Sequence, residues 1–537
     1  MTKKSKRNVA LTAACGVVLG LTLPLTATAS TGSTRSNIST AATAATASAT
    51  STASATSTTS VASSTTPPVK PLEWVACEGS GFGARQQCAT VDVPLDHADP
   101  GGGKIGIAVS RIRSEKPAVR RGVLLLIPGG PGGSTLEEQS AKARKLPREV
   151  REAYDLVVFD PRGNGRSAPV GCGLERRDLV STAFRPWPGP DGSVAGNMVT
   201  ARRMADACER NGGELIRHID TADNARDIDL IRAALGERKL SAWGVSYGSY
   251  LGAVYSQLFP HRTDRFVLDS NLDGSQDGSG DRGGVSRVWW AWFEQGVEDV
   301  FPEFAKWASA PGNPYRLADT AAEVRPMFLR LAARLDREPI PWPGATPAEL
   351  NGNALRQGMV DAFYDPDGFP ALAQLILAAR KGTVPPAPEP PPEALLQNGL
   401  AVALATMCND GAWPNSASAS VYQKEVDASR AKYPLTAGMP RNATACAAWP
   451  YPPKENPVRI TDRGPSTVLM VQNRRDPAAP LGGALKLRAD LGRRAVLVTV
   501  NSTGHDAYLG NGNACGDRVV SRYLATGERP ARDTYCR

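Results

Sequence analysis

The chain has 537 residues, of which 41% are hydrophobic and 21% charged. This excludes a wholly disordered or fibrous protein and leaves room for one large domain with an insertion, or for two to three domains. The formal charge of +9 includes four cations and no acid within the first 29 residues, so the remainder carries a mild +5. No basic run with interleaved aromatics occurs, so nucleic acid is not an expected partner.

Lys3, Lys4, Lys6 and Arg7 precede an apolar stretch from Val9 to Leu25, and Ala27-Thr28-Ala29 closes it. This is the pattern of an export leader cleaved after Ala29. Small residues, threonines and Pro24 interrupt the stretch, so stable membrane insertion is not expected. Ser30 to Thr66 is almost entirely Ser, Thr and Ala, too polar to bury a core, and reads as disordered. The nine cysteines agree with export. Cys15 falls in the leader, and the other eight suit an oxidising compartment. Spacing alone does not fix their connectivity. Pairing in sequence order (77/88, 172/208, 408/446, 515/536) would close each loop within one region.

The folded part starts near Pro67. Val91 to Pro94 and Lys104 to Arg111 alternate as early antiparallel strands do. Gly122 to Ile127 and Asp155 to Phe159 are continuous apolar runs, as in strands buried on both faces. Leu136 to Arg151 and Ala222 to Gly236 read as helices between such runs. Lys239 to Trp243 forms another strand, followed by a helix from Ser249 to Phe259. Phe266 to Leu268, Thr467 to Val471 and Ala495 to Val500 add three more strands. This alternation predicts a mostly parallel α/β sheet with flanking helices. Between about Ser275 and Pro465 the buried-strand runs stop. Trp-rich, helix-prone segments replace them: Val288 to Ala308, Ala321 to Arg337, Gly358 to Phe363 and Ala371 to Lys381. The expected layout is a leader (1–29), a disordered segment (30–66), a core in two parts (67–274 and 466–537), and a mainly helical lid insertion (275–465) over the strand ends.

The chemistry centres on Gly244-Val245-Ser246-Tyr247-Gly248. A G-x-S-x-G pattern between a strand and a helix describes a nucleophile elbow, which presents its serine above the sheet. A serine hydroxyl needs a base, and the base an orienting acid, with the chain order Ser, acid, His. Of four histidines only His261 and His505 follow Ser246. His261 ends the elbow helix and points away. His505 follows the last apolar strand, where ligand chemistry collects in such sheets. Asp476, after the strand at Thr467, is the favoured acid, with Asp269 its competitor. The oxyanion needs two backbone N–H donors. Tyr247 supplies one, and the loop Pro128-Gly129-Gly130-Pro131-Gly132-Gly133 the other. Pro131 has no N–H, which leaves Gly130 or Gly129, with Gly130 preferred. Arg162, in Asp160-Pro161-Arg162-Gly163-Asn164-Gly165-Arg166-Ser167, reads as structural. No C-x-x-C pair or other motif calls for a metal or cofactor.

Together these residues resemble the α/β-hydrolase superfamily, and within it the prolyl aminopeptidase family and its secreted tripeptidyl aminopeptidase branch. The motifs are PGGPGGS at Pro128, DPRGNGRS at Asp160, GVSYGSYLG at Gly244, FPHRTDRFVLDS at Phe259, RRDPAAP at Arg474 and STGHDAY at Ser502. The resemblance implies an α/β-hydrolase fold and assigns the nucleophile to Ser246, the acid to Asp476 and the base to His505. It implies a secreted enzyme, expected as a monomer, that removes short peptides, tripeptides by branch analogy, from substrates with a free N-terminus. One position departs from the family pattern, since Pro128 stands where prolyl aminopeptidases carry His. An exopeptidase must also bind the substrate's α-ammonium, for which Glu294, Glu298 and Asp410 are the expected lid carboxylates. Two other readings stay open: a secreted carboxylesterase or lipase with the same triad, and a catalytically inactive surface binding protein.

Overall fold

The apolar runs become the middle of one ten-stranded sheet. In chain order the strands are β1 (Val75–Ala76), β2 (Gln87–Pro94), β3 (Lys104–Ile112), β4 (Gly122–Ile127), β5 (Tyr154–Phe159), β6 (Leu240–Val245) and β7 (Thr263–Asp269). A short hairpin, β8 (Ile340–Pro341) with β9 (Glu349–Leu350), lies apart from the sheet. β10 (Val468–Arg475), β11 (Ala495–Thr503) and β12 (Thr534–Cys536) complete it. The order is β1-β2-β3-β5-β4-β6-β7-β10-β11-β12. The strands from β5 to β12 run parallel, while β1, β2 and β3 pair antiparallel and β3 meets β5 antiparallel. This computed structural model describes residues 72–79, 81–133, 136–274, 285–414 and 418–537. The expected leader and the Ser/Thr/Ala-rich segment lie outside the described residues.

Strand alternation divides the core between the two faces of the sheet. Leu124, Leu126 and Val158 pack against Leu136, Val150, Val520 and Leu524. Leu125, Val157 and Leu268 pack on the other face with Ile228, Leu251 and Leu487. The helix expected over Leu136 to Arg151 is two helices, Leu136–Arg144 and Arg148–Ala153. Pro147 divides them, because proline lacks the N–H and restricts the residue before it. Four disulfides join Cys77 to Cys88, Cys172 to Cys208, Cys408 to Cys446 and Cys515 to Cys536, the sequential pairing.

Between β7 and β10 the chain forms a helical insertion of two kinds. Val285–Ser309, Ala321–Arg337, Gly352–Phe363 and Phe369–Arg380 share an aromatic core with Phe301, Phe304, Phe328, Phe363 and Phe369. Glu393–Asn409 instead packs Leu396, Leu400 and Leu404 into the core beside the sheet. β4 lies between β5 and β6, and the strand order reverses there. In open α/β sheets the crevice beyond the strand ends at such a reversal is the ligand site. Ile127, the last residue of β4, is in register with Gly244 of β6. The Gly-rich loop and the serine elbow therefore emerge side by side.

Candidate active site

Ser246 sits between β6 and the helix Tyr247–Leu258 with φ 58° and ψ −124°. A non-glycine residue held there stores on the order of 1–3 kcal/mol of backbone strain. The flanking glycines are sterically required. A Cβ on Gly244 would stand 2.1 Å from the Gly248 carbonyl oxygen, and one on Gly248 would stand 2.3 Å from that of Ile127. The turn is pinned by the Ser246 N–H donating to the Asp269 carbonyl at 3.0 Å and the Ser249 N–H donating to the Ser246 carbonyl at 2.8 Å. The serine itself is partly exposed, while Tyr247 beside it is buried.

His505 follows β11, and Asp476 follows β10. The two neighbouring parallel strands bring the residues together, and His505 Nδ1 lies 3.0 Å from both Asp476 carboxylate oxygens. With the proton on Nδ1, the ring donates to the carboxylate and leaves Nε2 as the basic nitrogen. Asp476 is itself fixed, since its Oδ1 accepts from the Ala478 N–H at 2.9 Å and the Ala479 N–H at 2.8 Å. Burial pushes the His505 pKa down, but the Asp476 carboxylate outweighs it, and the net result is a rise to about 9.

Asp269, the rival acid, does different work. It ends β7 fully buried and accepts from the Ala507 N–H at 2.9 Å, the Tyr508 N–H at 3.0 Å and Trp243 Nε1 at 3.3 Å. Burial pushes its carboxyl up to about 6. The adjacent Ser270 Oγ accepts from the Asp506 N–H at 3.0 Å, and Lys142 Nζ holds Asp506 Oδ2 at 2.9 Å. This set clamps the turn that carries His505, in which Asp506 has φ 67°.

The Gly-rich loop after β4 lies against the elbow, and a Cβ on Gly129 would stand 3.4 Å from the Ser246 Cβ. Pro131 follows Gly130 through a cis peptide bond. The insertion reaches three of the surrounding loops. Gly132 and Gly399 meet backbone to backbone, where a Cβ on Gly399 would stand 2.7 Å from the Gly132 oxygen. A Cβ on Gly296 would stand 2.7 Å from the Asp476 oxygen. The His505 N–H donates to the Tyr364 carbonyl at 2.7 Å, and the Tyr364 ring stands edge-on to the imidazole with centroids 5.4 Å apart. Neither Tyr364 nor Gly399 carries a sequence signal, because both matter through backbone contacts across long chain separations.

Comparison with known proteins decides the family. A tripeptidyl aminopeptidase of Streptomyces lividans is 35% identical over 467 residues, covering 84% of this chain and 83% of that protein. The chain belongs to the tripeptidyl aminopeptidase family of α/β hydrolases. It is a serine hydrolase of the aminopeptidase type. The family described as "TAP-like protein" matches residues 433–536, and "alpha/beta hydrolase fold" matches residues 122–360. The serine protease Hip1 of Mycobacterium tuberculosis is 28% identical, covering 87% of this chain and 91% of the relative. A carboxylesterase B from the same species is 30% identical, covering 84% and 86%.

In this aminopeptidase-family hydrolase the three expected ammonium ligands are already engaged. Glu294 is buried against Arg441 Nε at 3.0 Å, and burial raises its pKa. Glu298 is paired with Arg325, whose Nη2 lies 3.0 Å from it. Asp410 accepts from the Thr221 N–H at 2.7 Å and the Thr221 hydroxyl at 2.6 Å, and burial lifts it to about 6. Thr221 Oγ1 in turn lies 2.9 Å from the Tyr247 hydroxyl, so Asp410 backs the elbow helix. Arg162 is fully buried, with Nε and Nη2 on the Asp227 carboxylate at 2.7 and 2.8 Å and further bonds to three carbonyls. His97 also binds Asp227, and His261 is exposed. Asp220, Asp223 and Glu455 oxygens gather within 4.8 Å. Arg226 bridges Asp223 and Glu455, supplying the charge a metal would otherwise bring.

Proposed function

We propose that the protein is an exported serine exopeptidase that releases short peptides, tripeptides among them, from free N-termini. The observation that carries this is the His505–Asp476 pair on adjacent strand ends, at the same end of the parallel sheet as a serine held at positive φ. In the proposed cycle Ser246 Oγ attacks the scissile carbonyl while His505 Nε2 takes its proton. Asp476 holds the imidazole and stabilises the imidazolium. The backbone N–H groups of Tyr247 and Gly130 receive the oxyanion. The imidazolium then protonates the leaving amine, and water, deprotonated by His505, releases the peptide from Ser246. Four disulfides favour an oxidising destination. Among the described residues no helix is long and apolar enough to cross a membrane.

The test compares a tripeptide p-nitroanilide carrying a free N-terminus with its N-acetylated form. The free form should be cut far faster, and Ser246→Ala should abolish both turnover and labelling by a fluorophosphonate. Retained turnover in that variant would sink the mechanism. The carboxylesterase relative gives a second reading, which a preference for simple esters over every free-N-terminal peptide would favour.

A further inference from the structure

We propose that Asp361, on the insertion helix Gly352–Phe363, is the carboxylate that receives the α-ammonium group of the peptide substrate. This rests on the exopeptidase reading above. Every carboxylate named from the sequence is occupied by an arginine or by Thr221. Asp361 differs in what surrounds it. It is partly exposed, and the only hydrogen bond to its carboxylate among the described residues comes from Gln357 Nε2 to Oδ1 at 2.7 Å. Gln357 is itself oriented, because its Oε1 accepts from Trp187 Nε1 at 2.9 Å. Among the described residues no cation reaches ion-pair distance of Asp361. Arg185 acts on it only from further away, with Nη1 3.3 Å from the Tyr364 hydroxyl and its guanidinium over the Phe293 ring. Burial dominates, and the carboxyl is pushed up to about 7. A carboxylate held at a protein boundary with one oxygen uncommitted and no ion-paired cation is suited to an incoming ammonium ion.

The placement fits the chemistry. Tyr364 continues the helix with φ −62° and ψ −31°, and its N–H donates to the Asp361 carbonyl. Residues three apart on a helix share a face, with Cβ atoms about 5–6 Å apart. The Tyr364 ring lies against His505. Asp361 therefore stands on the order of 10 Å from the imidazole. Three extended residues span about 10 Å. An ammonium ion seated at Asp361 places a peptide bond two to three residues along the chain within reach of the His505 imidazole.

The experiment uses the full mature chain and three substrates: a free-N-terminal tripeptide p-nitroanilide, its N-acetylated form, and p-nitrophenyl acetate. Asp361→Asn keeps the acceptor for Gln357 and removes the charge. It should lower kcat/KM on the free tripeptide about 10–100-fold, the value of one charge-assisted contact, chiefly through KM. Turnover of the acetylated peptide and of the ester should stay at the wild-type level. Asp361→Glu should recover part of the loss. Unchanged discrimination between free and acetylated peptide in Asp361→Asn would overturn the assignment. An equal fall on all three substrates would also overturn it, since that marks a structural role. If the wild-type enzyme itself does not prefer the free N-terminus, the exopeptidase reading fails instead.

Discussion

Two buried carboxylates lie close to His505, and one pair of variants separates their roles. In Asp269→Asn one carboxylate oxygen becomes an NH2 group that faces a backbone N–H, either of Ala507 at 2.9 Å or of Tyr508 at 3.0 Å. A buried donor is left without an acceptor, at about 1–3 kcal/mol. For a chain of this size that lowers Tm by a few degrees. The loop then settles into a new position, and a displacement on the order of 1 Å costs about 10²-fold in rate. In Asp476→Asn the amide faces His505 Nδ1 instead and favours the wrong tautomer. The same change in a Ser-His-Asp protease costs about 10⁴-fold in kcat. Steady-state kinetics on a tripeptide p-nitroanilide, with thermal unfolding of each variant, measure both effects. The expected pattern is a larger kcat loss in Asp476→Asn and a smaller one, coupled to lower Tm, in Asp269→Asn. A loss of about 10⁴-fold in Asp269→Asn at unchanged Tm, with Asp476→Asn still active, would refute the assignment.

Other outcomes follow from the same geometry. His505 must be neutral to act as a base, so kcat/KM should rise with pH to a midpoint near its value of about 9. Removing the Asp476 charge should move that midpoint down, and a wild-type profile already flat at pH 7 would contradict the strength of the pair. The folded pKa lies above the unfolded value of about 6.5. The charged pair therefore stabilises the fold fully below pH ~6.5, and that contribution fades as pH rises through about 9, which denaturant titrations at pH 6 and pH 10 can measure. Gly399→Ala puts a methyl 2.7 Å from the Gly132 oxygen. The overlap should cost about 1–3 kcal/mol of stability and displace the Gly-rich loop proposed to hold the oxyanion, so kcat should fall more than KM changes. Wild-type kcat and Tm in that variant would show that the two backbones do not touch.

Much of the sheet was legible because strands buried on both faces leave continuous apolar runs. Gly122 to Ile127 was read to the residue, and Asp155 to Phe159 within one. The elbow was legible for a steric reason, since Gly244 and Gly248 stand where a Cβ would strike a carbonyl. Histidine scarcity brought His505 forward without any three-dimensional information. What escaped depends on contacts between distant segments. The helices Ala195–Asn211 and Glu393–Asn409 went unread. The second of these is apolar on most sides because it is buried on most sides, which blurs the helical period. The lid acids were chosen by position alone. Sequence spacing does not reveal that Arg441 and Arg325 would neutralise Glu294 and Glu298, or that Asp361 would lack such a partner.

The insertion's contacts with three site loops also bear on biosynthesis. Ser246 is made early, but Asp476 and His505 come from the last stretch of chain, and both rest on helices inserted between them. Gly296 meets the Asp476 loop, Tyr364 meets His505, and Gly399 meets the Gly132 loop. A nascent chain that ends at Ser246 lacks both the elbow helix and the Asp269 carbonyl that pin the serine, and even completed β10 and β11 strands lack their supports until the insertion packs. On the proposed mechanism a competent site needs the insertion and the last strands packed together, so a chain kept unfolded holds no assembled site.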